Sequence, residues 1–133
     1  MKKMLFYLLF ALPMVGVSAN DAHQNAGIDA IKTALASGDV AGLSKFFGES
    51  VEISILDKEQ IYTKGQAIDA VRAFFGQNKP KGFEQMHAGT SKGNDDQYCI
   101  GNLTTGGATY RVYLYLKMGS GQPTIQEIRF DKA

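Results

Sequence analysis

The stretch YRVYLYLK, residues 110–117, decides how the chain is read. Its period is two, so Tyr110, Val112, Leu114 and Leu116 share one face of a strand and Arg111, Tyr113, Tyr115 and Lys117 the other. The first face is a core face, which needs a covering layer. The second carries two rings between two cations, and its purpose is the functional question. Working outward, residues 124–130 form a following strand. There Ile128 and Phe130 match the core face, while Ile125, Glu127 and Arg129 are expected to turn away. Two earlier strands are expected at 83–88 and 98–104. The connections TSKGNDD, TGGA and GSGQP are rich in turn formers and short enough for antiparallel hairpins.

The first half of the chain has another period. Ile28, Ile31 and Leu35 lie at helical spacing over 27–37, with Gly38 placed to end the helix in a left-handed cap. Asp39 offers an N-cap to a short second helix that carries Leu43, Phe46 and Phe47 on one side and closes at Gly48. Val51, Ile53 and Ile55 then alternate as a strand. A turn is expected over 56–59, and a short strand around Ile61 and Tyr62. Thr63 and Gln66 have capping-box spacing before a third helix whose stripe is Ile68, Val71, Phe74 and Phe75, stopped by Gly76 and Pro80. The order ααββαββββ predicts an α+β domain: a curved antiparallel sheet with helices packed on its concave face.

Residues 1–19 read as a secretory signal peptide: Lys2 and Lys3, an apolar run over 4–17, and small residues at Val17-Ser18-Ala19. That run is shorter than the ~20 helical residues that span a bilayer. The expectation is a single exported domain over 20–133, periplasmic or secreted, with no membrane attachment after the signal is removed. Loss of Lys2 and Lys3, the only charged residues in the signal, takes the formal charge from +1 to −1. A near-neutral chain gives no electrostatic case for nucleic acid. Cys99 is the single cysteine, so no internal disulfide forms, and its strand setting predicts a buried small apolar residue. Two distant histidines and one cysteine make no metal-ligand spacing, and no motif calls for a cofactor.

The segments HAGTSK from His87, YCIGNLTT from Tyr98, TYRVYLYLK from Thr109 and IQEIRFDK from Ile125 resemble a family of small exported bacterial proteins labelled domain of unknown function 4783. The element order resembles the nuclear transport factor 2-like superfamily, the α+β cone also called cystatin-like. That resemblance implies a fold rather than a reaction. The superfamily holds ketosteroid isomerase-like and dehydratase-like enzymes, polyketide cyclases, and many members that only bind ligands or dimerise, often by packing sheet faces.

Acid–base chemistry in such a cone needs a shielded carboxylate or histidine. The residues assigned to the interior face are apolar: Val51, Ile53, Ile55, Val112, Leu114, Leu116, Ile128 and Phe130. Asp29, Glu52 and Asp69 sit opposite apolar stripes and read as solvated. His87, at even spacing from Phe83 and Gln85, is the candidate catalytic group, pointing into the cone mouth with Tyr98 or Tyr110 as hydrogen-bond donor. That reading is a small cofactor-independent isomerase, dehydratase or hydrolase with His87 or a carboxylate at the cone mouth. The leading expectation is a non-catalytic binding or interaction domain, a homodimer that uses Arg111, Tyr113, Tyr115, Glu127 and Arg129 on the outer sheet face. A small-molecule or protein ligand remains open. Arg and Tyr are enriched at interfaces because a planar fork and an amphipathic ring bury area at low entropic cost.

Overall fold

The computed structural model describes residues 19–91, 93, 95–119 and 121–133, with side chains from Asn25 onward. All of the expected signal peptide except Ala19 lies outside the described residues. The elements are α1 (Ala19–Ser37), α2 (Val40–Ser44), β1 (Phe47–Ile55), β2 (Lys58–Thr63), α3 (Lys64–Gln77), β3 (Pro80–Thr90), β4 (Gln97–Thr105), β5 (Thr109–Lys117) and β6 (Thr124–Lys132). This is the ααββαββββ order. The strands make one curved six-stranded sheet, ordered β2-β1-β6-β5-β4-β3, with the helices on its concave face. Neighbours are antiparallel except β1 and β6, the second and third strands in this order, which run parallel.

Local chemistry sets most boundaries. Gly38, at φ +69°, ends α1 in a Schellman motif: its N–H reaches Leu35 O (3.3 Å) and the Asp39 N–H reaches Ala34 O (2.9 Å). The Asp39 carboxylate accepts from Gly42 N at 3.0 Å and starts α2. Thr63 and Gln66 close the capping box of α3, Gln66 N donating to Thr63 Oγ1 and Thr63 N to Gln66 Oε1. α2 stops at Ser44, short of the Gly48 limit read from sequence. Phe46 O accepts from Ile125 N and Phe47 pairs with Ile125, so pairing with β6 draws this segment into β1.

The β1–β2 hairpin turns on two residues, Leu56 (φ 50°) and Asp57 (φ 70°), tighter than the four-residue turn expected. Both central positions of a type I′ turn need positive φ, which suits Asn and Gly and strains a leucine by about 1–2 kcal/mol. Leu56 is also 43% exposed, so burial returns little. Leu56→Asn is therefore expected to raise unfolding stability by about 0.5–1 kcal/mol. A higher urea midpoint at unchanged slope is the check, and a lower one would mean that Leu56 is needed for packing.

The core lies between sheet and helices. α1 packs on β3 and β4, and α3 on β1 and β2. Ile31, Leu35, Leu43, Val71, Phe74 and Phe75 meet Val51, Ile53, Val112, Leu114, Leu116, Ile128 and Phe130, all at most 5% exposed. Four rings fill the space under α3. Phe74 stands 4.5 Å from Phe130, 5.2 Å from Tyr110 and 6.0 Å from Phe75, centroid to centroid. The Tyr110 hydroxyl donates to Asn78 Oδ1 at 2.8 Å, and Asn78 returns Nδ2 to Phe74 O at 3.1 Å. These bonds satisfy the one polar atom that Tyr110 carries inward.

Two β-bulges redirect side chains. Tyr115 pairs with Glu127 but Leu116 pairs with Ile125, so Gln126 is an extra residue. Ile125, expected on the outer face, is consequently turned inward and fully buried. In β3, Gln85 pairs with Gly101 and His87 with Ile100, which makes Met86 the extra residue. Phe83 and Gln85 face inward, the Cys99 thiol donating to Gln85 Oε1 at 3.6 Å. His87 lies past the bulge and points the other way, in contrast to its expected position in the cone mouth.

Candidate functional site

The outer face is built by the register. Because Ile53, Leu114 and Ile128 line up inward, their neighbours align outward in rows across the sheet. The middle row runs Ser54, Arg129, Tyr113, Ile100, His87. Beside it lies Ile61, Glu52, Glu127, Tyr115, Tyr98 and Gly89. On the other side come Asp131, Arg111, Asn102 and Glu84. The five residues singled out in sequence thus share one face, with Tyr113 opposite Arg129 and Tyr115 opposite Glu127.

Several of these side chains are fixed in place. Arg111 Nε donates to Asn102 Oδ1 at 2.9 Å. The Tyr115 hydroxyl donates to Asp96 Oδ2 at 3.0 Å, while Met118 N donates to the other carboxylate oxygen at 3.1 Å. Tyr98 lies across Gly89: a Cβ there would sit 2.5 Å from the hydroxyl and 2.6 Å from Cζ, so only glycine lets the ring settle on the β3 backbone. Glu127 approaches Arg129 Nη1 at 3.8 Å, a long ion pair of low worth on its own. Burial, then the Glu127 carboxylate, then the Tyr115 ring push the Tyr113 phenol up, with Arg129 opposing and Tyr98 adding a smaller push. Tyr113 therefore stays a neutral hydrogen-bond donor at physiological pH. The face is also apolar at places: Ile61 is 70% exposed, and Ile100 and the three tyrosines, neighbours in register on β4 and β5, are half-buried.

The other candidates are dispersed. His87 is exposed at the edge of this same face, Tyr98 lies two strand positions from it on β4, and Tyr110 is buried on the opposite side with its hydroxyl committed to Asn78. No constellation of these three forms. Cys99 is buried, and burial pushes its thiol up despite the Lys32 charge, so it has little thiolate to offer a reaction. Among the described residues no three His, Cys, Asp or Glu side chains cluster as metal ligands, and no helix is long and apolar enough to cross a membrane.

Sequence reasoning missed Ser54, Tyr98, Ile100 and Asn102 as members of this face. The signal was present: in YCIGNL, a buried Cys99 places Tyr98, Ile100 and Asn102 outward by alternation alone.

Comparison with known proteins agrees with the α+β fold. Residues 28–131 match a domain of unknown function, DUF4783. A DUF4783 protein from Bacteroides ovatus is 32% identical, with a TM-score of 0.73 over 78% of this chain and 93% of that one. One from Bacteroides fragilis is 28% identical, with a TM-score of 0.72 over 78% and 96%. A nuclear transport factor 2-like protein of unknown function from Silicibacter pomeroyi, 12% identical, has a TM-score of 0.61 over 85% and 95%, a likeness of fold alone. No curated protein matches the chain.

Proposed function

Given that the chain belongs to the DUF4783 family, on a nuclear transport factor 2-like frame and with no activity attached to that family, we propose that it is an exported, non-catalytic interaction domain that dimerises through its outer sheet face. The observation that carries this reading is the outward alignment of Arg111, Tyr113, Tyr115, Glu127 and Arg129 on a face against which none of the described helices packs. Six strands at ~4.8 Å spacing and about nine residues of ~3.3 Å each offer roughly 700 Å². That is near the ~800 Å² each partner contributes to a standard interface. The ring-filled interior favours a partner on the outside over a ligand within. The basic start, apolar run and Val17-Ser18-Ala19 support export to the periplasm or beyond.

The exported protein should begin at Asn20 by mass and sediment as a dimer. Tyr113→Ala combined with Arg111→Ala should weaken association at least about 100-fold and leave a folded monomer, since truncated hot-spot residues cost ~2 kcal/mol or more each. Wild-type protein that sediments as a monomer at high micromolar concentration would remove the interface.

A further inference from the structure

This inference rests on the dimer reading above and names what fastens the two copies. Arg129 lies at the centre of the outer face, between Ser54 on β1 and Tyr113 on β5. A guanidinium has five N–H donors in a planar fork. The contact from Nη1 to Glu127 at 3.8 Å leaves that fork poorly matched, and Nε is buried without an acceptor among the described residues. Ser54, its direct neighbour across the parallel ladder, is 2% exposed, and its Oγ also lacks a partner. Buried polar atoms are nearly always hydrogen-bonded, and those that are not call for an explanation. Here two occur side by side in the middle of the proposed interface.

Glu127 is badly placed to help from within its own chain. It stands two residues from Arg129 on one strand, ~6.6 Å away along it, so the two side chains rise nearly parallel and the carboxylate meets the fork from the side. A carboxylate approaching from above the sheet meets it end-on, in the bidentate geometry that makes such pairs strong. A two-fold interface is isologous, so any residue that receives a group from the partner also lends the matching one. An axis passing between the rows of Glu127 and Arg129 brings each Arg129 beneath the other copy's Glu127. We propose that Glu127 and Arg129 exchange partners across this axis, the Arg129 fork turning up to take the carboxylate of a second copy while the Ser54 hydroxyl donates to the same group.

Charge reversal tests the exchange. Glu127→Arg and Arg129→Glu each create like-charge pairs, and each alone should dimerise at least about 100-fold more weakly than wild type. Mixed one to one, the two variants regain opposite signs only between chains. Native mass spectrometry should then show a heterodimer with an affinity within about tenfold of the wild-type dimer. A mixture that stays monomeric while wild type is dimeric overturns the exchange and leaves the interface standing; a monomeric wild type ends both. If either reversal fails to fold, Glu127→Gln decides: association about tenfold weaker supports the exchange, and unchanged association overturns it. Ser54→Ala should weaken association about tenfold without lowering the urea midpoint of the monomer. A purely structural serine would leave association untouched.

Discussion

Phe130→Ala is expected to cost about 3–5 kcal/mol of unfolding free energy, the range for removing a buried aromatic ring. Phe130 is fully buried, 4.5 Å from the Phe74 ring and edge-on to Phe75 at 6.0 Å. It also sits on β6, opposite Val112 of β5 and Ile55 of β1, so the cavity would open where helix layer, strand joint and ring cluster meet. Since the total stability of a domain is ~5–15 kcal/mol, the variant is expected to be largely unfolded under mild stress. Phe130→Leu, which keeps most of the volume, should cost roughly 1.5 kcal/mol or less and stay measurable by urea titration. A loss below about 1.5 kcal/mol for the alanine variant would show that the four rings are not the heart of the core.

The second large effect comes from adding a single methyl group. Gly101 lies inside β4 at ordinary φ, so its identity is a matter of space. A Cβ there would stand 2.4 Å from Phe83 Cζ and 2.5 Å from the Glu84 carbonyl oxygen. Repacking can displace the ring, but the backbone carbonyl belongs to the paired strand β3 and moves only with it. Gly101→Ala should therefore destabilise by about 3 kcal/mol, at the upper end of ordinary overpacking. Gly76→Ala is the control: nothing lies within 4 Å, the backbone is helical, and a gain of up to about 1 kcal/mol is expected. Equal effects at the two positions would mean that packing on Gly101 does not constrain the edge of the sheet.

The elements were legible because periods changed cleanly: 3.6 around Ile68, Val71 and Phe75, then two through Val112, Leu114 and Leu116. Strand faces were legible only between bulges. One extra residue reverses every side chain beyond it, which is why Ile125 and His87 fell on the faces opposite to those expected. For Ile125 the sequence carried a hint, since Ile125 and Ile128 are three apart and both need burial, an odd spacing that strict alternation cannot satisfy. For His87 it carried almost none. β3 is an edge strand whose residues 84–88 are all exposed, so no core demand marks where its register shifts. The outer face was readable in β5, which has no bulge along Arg111, Tyr113 and Tyr115. Its width across β1 and β4 was not, because strand order in the sheet is set by tertiary pairing.

The parallel joint has a consequence for how the molecule comes into being. Without its final strand the sheet is two separate pieces, a β1–β2 hairpin and a β3–β4–β5 meander. Neither piece alone can bury its greasy side, so the polypeptide has no stable half-way product while it is being synthesised. Closing the gap requires bringing the first and last strands together across most of the chain, which makes folding a late and comparatively slow event. Under the export proposed above, that delay would hold the polypeptide in a transportable state until it has crossed the membrane.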